Sequence, residues 1–212
     1  MIFYLHGFAS SPHSSKAAFF RQHLSAHGLA LACPDFNAPD FRSLTMTRML
    51  SQLGEAIGRT SGPATLIGSS LGGALAILAA AQMPERVSQL VLLAPYVMFA
   101  QPDHELLPPE RMAEWKAKGT LSIVHHGANE ERLLDYRFHD DALSYDVLHA
   151  VFNQPALVFQ GRQDASVDCH TVEQFVSGRS RVSLRLFDDD HSLHASLPSI
   201  WQDMAPFLGL VD

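Results

Sequence analysis

Only two cysteines, Cys33 and Cys169, occur in the 212 residues, so no disulfide framework holds this chain together. Each is expected as a small buried apolar residue, the usual place of an unpaired thiol. Long apolar runs are missing too. The longest, Ala74 to Ala81, is far too short to span a bilayer as a helix. The opening Met1-Ile2-Phe3-Tyr4-Leu5-His6 has no basic segment and no small-residue cleavage site, so a cytoplasmic protein with no membrane partner is expected. Positive charge is also in short supply: 15 Lys plus Arg stand against 22 Asp plus Glu, a net charge of −7 with histidine neutral. A phosphate backbone needs a basic surface, so nucleic acid is not expected as a partner. Neither G-x-G-x-x-G nor a P-loop lysine occurs, and the histidines show no H-E-x-x-H spacing, so neither a nucleotide cofactor nor a metal is expected.

What remains is a chain with enough apolar residues for one core and a repeating order of elements. Short runs rich in apolar residues at 2–5, 29–33, 64–67, 88–93, 156–160 and 182–187 read as strands, the continuous apolar run 2–5 as one buried on both faces. Longer segments at 15–27, 43–59, 71–82, 169–177 and 195–208 read as helices. Alternation of this kind predicts an α/β fold with a mostly parallel sheet of about six strands and helices on both faces. Between about 96 and 153 the pattern breaks off. That stretch is expected as a helical cap inserted in a single domain of 1–212, with helical pieces at 110–118, 130–134 and 141–152. Met98, Phe99, Leu106 and Leu107 in it are candidates for an acyl pocket, or else for ordinary core.

Gly68-Ser69-Ser70-Leu71-Gly72-Gly73 fits G-x-S-x-G between a predicted strand and a predicted helix. A serine hydroxyl becomes a useful nucleophile when a tight turn lifts it towards a base. Bulky neighbours would clash in that turn, hence Gly68 and Gly72, while Gly73 lets the helix pack closely. His6-Gly7-Phe8 follows the first strand, so the backbone N–H groups of Phe8 and Leu71 are the candidate oxyanion hole. His6 itself is expected to be structural. Acid and base should follow the nucleophile in the order Asp, His. Asp164 stands after the strand ending at Gln160, and His191 after the strand ending at Phe187. Asp168 in the same loop as Asp164, and His194 close to His191, are the alternatives. The run Asp188-Asp189-Asp190 is expected to be solvated, and His125, His126, His139 and His149 to lie on the surface or line the substrate.

Tyr4-Leu5-His6-Gly7-Phe8-Ala9-Ser10-Ser11-Pro12 with Ser15-Lys16, the Gly68–Gly73 motif, and His191 with the closing 201–210 segment resemble the small bacterial esterases of the YqiA/YcfP type. The resemblance implies a compact α/β-hydrolase fold without the first two strands of the larger versions. It implies a Ser70, Asp164, His191 triad that needs no cofactor. The expected activity is cleavage of a small carboxylic ester through an acyl-enzyme. A thioesterase or acyltransferase would use the same triad, and a non-catalytic binding protein on the fold would leave Ser70 unreactive. The expected partner is a small-molecule ester or thioester, with oligomeric state left open.

Overall fold

The computed structural model describes residues 1–99, 101 and 107–210. In chain order the elements are β1 (Ile2–Leu5), α1 (Ser15–Ala26), β2 (Leu31–Ala32), α2 (Met46–Gly58), β3 (Ala64–Ser69), α3 (Leu71–Gln82) and β4 (Val87–Leu93). Then come α4 (Pro109–Lys118), β5 (Thr120–His125), β6 (Glu130–Asp135), α5 (Arg137–Ala142), β7 (Ala156–Gly161), α6 (Cys169–Val176), β8 (Val182–Phe187) and α7 (Leu197–Phe207). Six strands form one parallel sheet in the order β2-β1-β3-β4-β7-β8.

Both faces of that sheet are buried, and the period-2 alternation of each strand divides its side chains between two cores. Phe3, Leu5, Leu66, Leu90, Leu92 and Val158 point towards α2, α3 and α6. Tyr4, Ile67, Val91, Leu93, Leu157 and Phe159 point towards α1 and α7, where Phe20, Leu24, Ile200 and Met204 meet them. Full burial of one such side chain contributes about 1.5–3 kcal/mol. Helix α3 is buried from Leu71 to Ala80 on every side, which is why its sequence is apolar all round rather than amphipathic. Ser14 and Thr45 cap α1 and α2 through their hydroxyls.

The expected strands and helices of the central sheet are all present; β2 is reduced to two residues. The insertion between β4 and β7 differs from its expected make-up. Residues 110–118 are helical within α4, but 130–134 form β6, paired antiparallel with β5 from Thr120↔Asp135 to His125↔Glu130. Glu and Leu are good helix formers, yet local propensity is overridden here because β5 offers a full ladder of partners. Within 141–152 helix α5 ends at Ala142, and the Asp146 carboxylate then accepts the His149 N–H in a turn. The cap is therefore mixed α and β.

That cap is fastened to the sheet domain at several points. The Gly127 N–H donates to the Ala9 carbonyl, and Asn37 bridges His125 to the Ser10 carbonyl. The Asp135 N–H donates to the Arg42 carbonyl while Arg42 pairs with the Asp135 carboxylate at 2.8 Å. Asp141 accepts from the Thr47 backbone and hydroxyl.

Candidate functional site

A parallel sheet collects loop residues at the carboxyl ends of its strands. Here β1 leads to Gly7 and Phe8, β3 to Ser70, β7 to Asp164 and β8 to His191, all at one edge. Ser70 stands between β3 and α3 at φ 53, a left-handed conformation that serine rarely adopts. The elbow is held from several directions: the Ser70 N–H donates to the Leu93 carbonyl, and its own carbonyl accepts from Gly73, Ala74 and Tyr96. Gly68 and Gly72 are required by close approach. A Cβ on Gly68 would overlap the Gly72 carbonyl, and one on Gly72 would overlap the Leu5 carbonyl at the end of β1. Ala9, Ala94 and Leu193 also have positive φ, and each lies beside the loops that carry Phe8, Ser70 or His191.

The structure brings Ser70, His191 and Asp164 together. His191 Nε2 lies 3.0 Å from Ser70 Oγ, and His191 Nδ1 lies 2.8 Å from Asp164 Oδ2. The Asp164 side chain is hidden from solvent. Its Oδ1 accepts the N–H groups of Ser166 and Val167 at 2.8 Å each, and Gln160 Nε2 donates to Oδ2 at 2.9 Å. Burial pushes the Asp164 carboxyl up, but the hydrogen bonds from His191, Val167 and Ser166 outweigh it and hold the group below the usual carboxylate range.

The alternatives lie elsewhere. Asp168 caps α6 by accepting from the Thr171 backbone and hydroxyl. His194 Nε2 meets Ser15 Oγ at 2.8 Å, on α1. His6 is buried between Gly7 and Phe36. Its Nδ1 lies 2.9 Å from the Gly7 carbonyl and its Nε2 accepts the Phe36 N–H, so the ring orients the Gly7–Phe8 segment. Burial pushes its pKa down, favouring the neutral ring. The Phe8 and Leu71 N–H groups have no acceptor within the chain, among the described residues. The remaining cap histidines divide as well: His125 is buried against Asn37, His126 borders the cavity described next, and His149 pairs with Asp146. Cys33 and Cys169 are only partly buried, and desolvation pushes both thiols up.

A cavity of about 480 Å³ opens beside Ser70 and His191 under the cap. Phe8, Phe99, Trp115, Leu134, Phe138 and Val167 give it apolar walls. Leu107 also lines it, Met98 packs against the neighbouring core, and Leu106 lies outside the described residues.

Two supports of the site escaped the sequence reading. Gln160 is fully buried at the end of β7 and donates to Asp164, Gly161 and Val167. A glutamine closing the apolar run Ala156-Leu157-Val158-Phe159 was the available signal. Asp188 and Asp190 are exposed, as expected of that run, and Asp189 is partly buried, but two of the three also organise the His191 loop: Asp189 accepts from the Ser196 backbone and hydroxyl, and Asp190 from those of Ser192. No pattern in the sequence distinguishes such a clamp from a solvated acidic run.

Comparison with known proteins agrees with this fold. The mouse alpha/beta hydrolase domain-containing protein 10 superposes with a TM-score of 0.80 at 21% identity, over 98% of this chain and 89% of that one. Est1E from Butyrivibrio proteoclasticus, solved with ferulic acid, gives 0.80 at 19% identity over 98% and 89%. A monoacylglycerol lipase from Paleococcus ferrophilus gives 0.80 at 14% over 98% and 93%. Likeness at these identities establishes the α/β-hydrolase fold. Among curated proteins, a biotin biosynthesis bifunctional protein BioHC from Teredinibacter turnerae is 39% identical over 77 residues, which span 36% of this chain but only 13% of that protein. The model of an uncharacterised protein family, UPF0227, matches residues 1–207.

Proposed function

The chain belongs to the uncharacterised protein family UPF0227, and from that premise and the site geometry we propose that it is a serine hydrolase cleaving a small carboxylic ester. One observation carries the reading: His191 bridges Ser70 Oγ and the buried Asp164 carboxylate through its two ring nitrogens. That arrangement suits proton transfer, because Asp164 fixes the tautomer with Nδ1 protonated and leaves Nε2 to accept from Ser70.

In the proposed reaction Ser70 Oγ attacks the ester carbonyl carbon and His191 Nε2 takes the hydroxyl proton. The Phe8 and Leu71 N–H groups hydrogen-bond the resulting oxyanion, with the N-terminus of α3 adding favourable potential. Collapse of the tetrahedral intermediate breaks the bond to the alkoxy oxygen, which leaves as alcohol with the His191 proton. Water, deprotonated by His191, then attacks acyl-Ser70, and the acid is released as Ser70 regains its proton. The apolar cavity under the cap suits the acyl chain. The names of the esterase and lipase among the structural neighbours point the same way, towards esters.

Hydrolysis of p-nitrophenyl esters of increasing acyl length by wild type and Ser70→Ala tests this. Activity peaking at one chain length and falling roughly 10⁶-fold in kcat on loss of the nucleophile is expected. Equal rates in the two proteins would overturn the reading.

A further inference from the structure

A second cavity, of about 470 Å³, meets the first at Ser70 and His191 but is lined by no cap residue. It carries more polar side chains than the first. Ser10, Ser14 and Ser192 carry hydroxyls there, Gln163 an amide, and Lys16 and Asp190 opposite charges. Tyr4 lies beneath, buried. Lys16 Nζ donates to the carbonyl of Ser192, next to His191, at 2.8 Å. An ammonium has three donors, and among the described residues the chain supplies a hydrogen-bond acceptor for one of them. Burial pushes Lys16 down to about 8 even though Asp190, Asp164 and Asp189 pull it up. Asp190 differs in being exposed at the rim of the cavity, but it too has an open atom. Its Oδ1 is taken by Ser192, while Oδ2 has no donor from the chain among the described residues.

We propose that this second cavity receives the alcohol part of the ester, and that this alcohol is a neutral polyol of the glycerol or sugar class, hydrogen-bonded by Lys16 and Asp190. The inference rests on the serine-hydrolase reading above. His191 must protonate the departing oxygen, so the leaving group has to lie where His191 is accessible. With the acyl chain in the apolar cavity, the second cavity is the other of these two spaces that His191 borders. An aliphatic alcohol there would cover the spare Lys16 donors and leave them unpaired, at the desolvation cost of a charged group. An anionic alcohol would find the Lys16 charge already offset and would face the Asp190 carboxylate. Neighbouring hydroxyls satisfy both sides, accepting from Lys16 and donating to Asp190.

The test holds the acyl group constant and varies the alcohol: propyl, 2,3-dihydroxypropyl, 6-glucosyl and 2-carboxyethyl esters, with the p-nitrophenyl ester as gauge of the triad. Wild type should hydrolyse the dihydroxypropyl or glucosyl ester at least about tenfold better in kcat/KM than the propyl ester. In Lys16→Met that ratio should fall towards one. Damage to the His191 loop alone would slow all esters equally and keep the ratio, which would overturn the assignment of Lys16. A wild-type ratio near one, or fastest turnover of the 2-carboxyethyl ester, would overturn the polyol subsite and needs no variant to be seen. In either case cleavage of the p-nitrophenyl ester would leave the hydrolase reading intact. Failure to cleave any ester would remove both.

Discussion

Asp164 is hidden from solvent while His191, 2.8 Å away, keeps about a third of its side chain exposed, so the pair is fixed at one end and open to solvent at the other. Four protein groups point at the Asp164 carboxylate: His191, Gln160 and the N–H groups of Ser166 and Val167. A charge this well solvated by the protein has little reason to take up the proton of His191, and its effect is to set the tautomer.

Asp164→Asn should therefore retain the fold and lose about 10⁴-fold in kcat, because the amide stabilises the wrong tautomer of His191. Steady-state kinetics on a p-nitrophenyl ester, with circular dichroism to confirm folding, checks this.

The same carboxylate should leave a mark on acid stability. Its folded pKa is held below the ordinary value, so its contribution is complete above the usual aspartate range and fades as pH falls through that range towards the folded pKa. Urea midpoints of wild type and Asp164→Asn should differ most near pH 6 and converge towards pH 3. A difference that stays constant with pH would contradict this assignment.

Gly72→Ala tests the elbow. In an ordinary helix the change would gain up to about 1 kcal/mol from propensity. Here the new methyl would overlap the Leu5 carbonyl, so a net loss of about 1–3 kcal/mol or more is expected, because β1 and α3 must separate. Chemical denaturation measures the sign.

Phe138 packs on Phe8 and Phe99, with ring centroids 5.4 and 5.7 Å apart, and lines the apolar cavity. Phe138→Leu should lengthen that cavity. The preferred acyl chain should shift to a longer homologue, with the ratio of kcat/KM for longer over shorter ester rising about tenfold, the worth of one methylene in an apolar pocket. A chain-length series in the two proteins decides it.

The sequence determined the central fold because its strands carry their own marks. The run 2–5 is a strand and 71–82 a helix with the expected ends, since buried parallel strands are short and apolar and α3 is enclosed on all sides. It also determined the order Ser70, Asp164, His191, because a parallel sheet delivers each strand's following loop to one edge, where the three are found in hydrogen-bonding contact. Only the tertiary structure decided the rest. Glu130–Asp135 became a strand once β5 lay beside it, a pairing no local preference encodes. Lys16 and Ser192 are 176 positions apart in sequence, and Gln160 reaches Asp164 only through the turn between them. Contacts of this kind depend on where the chain returns after folding, and a polar residue in a sequence carries no sign of the partner that burial will give it.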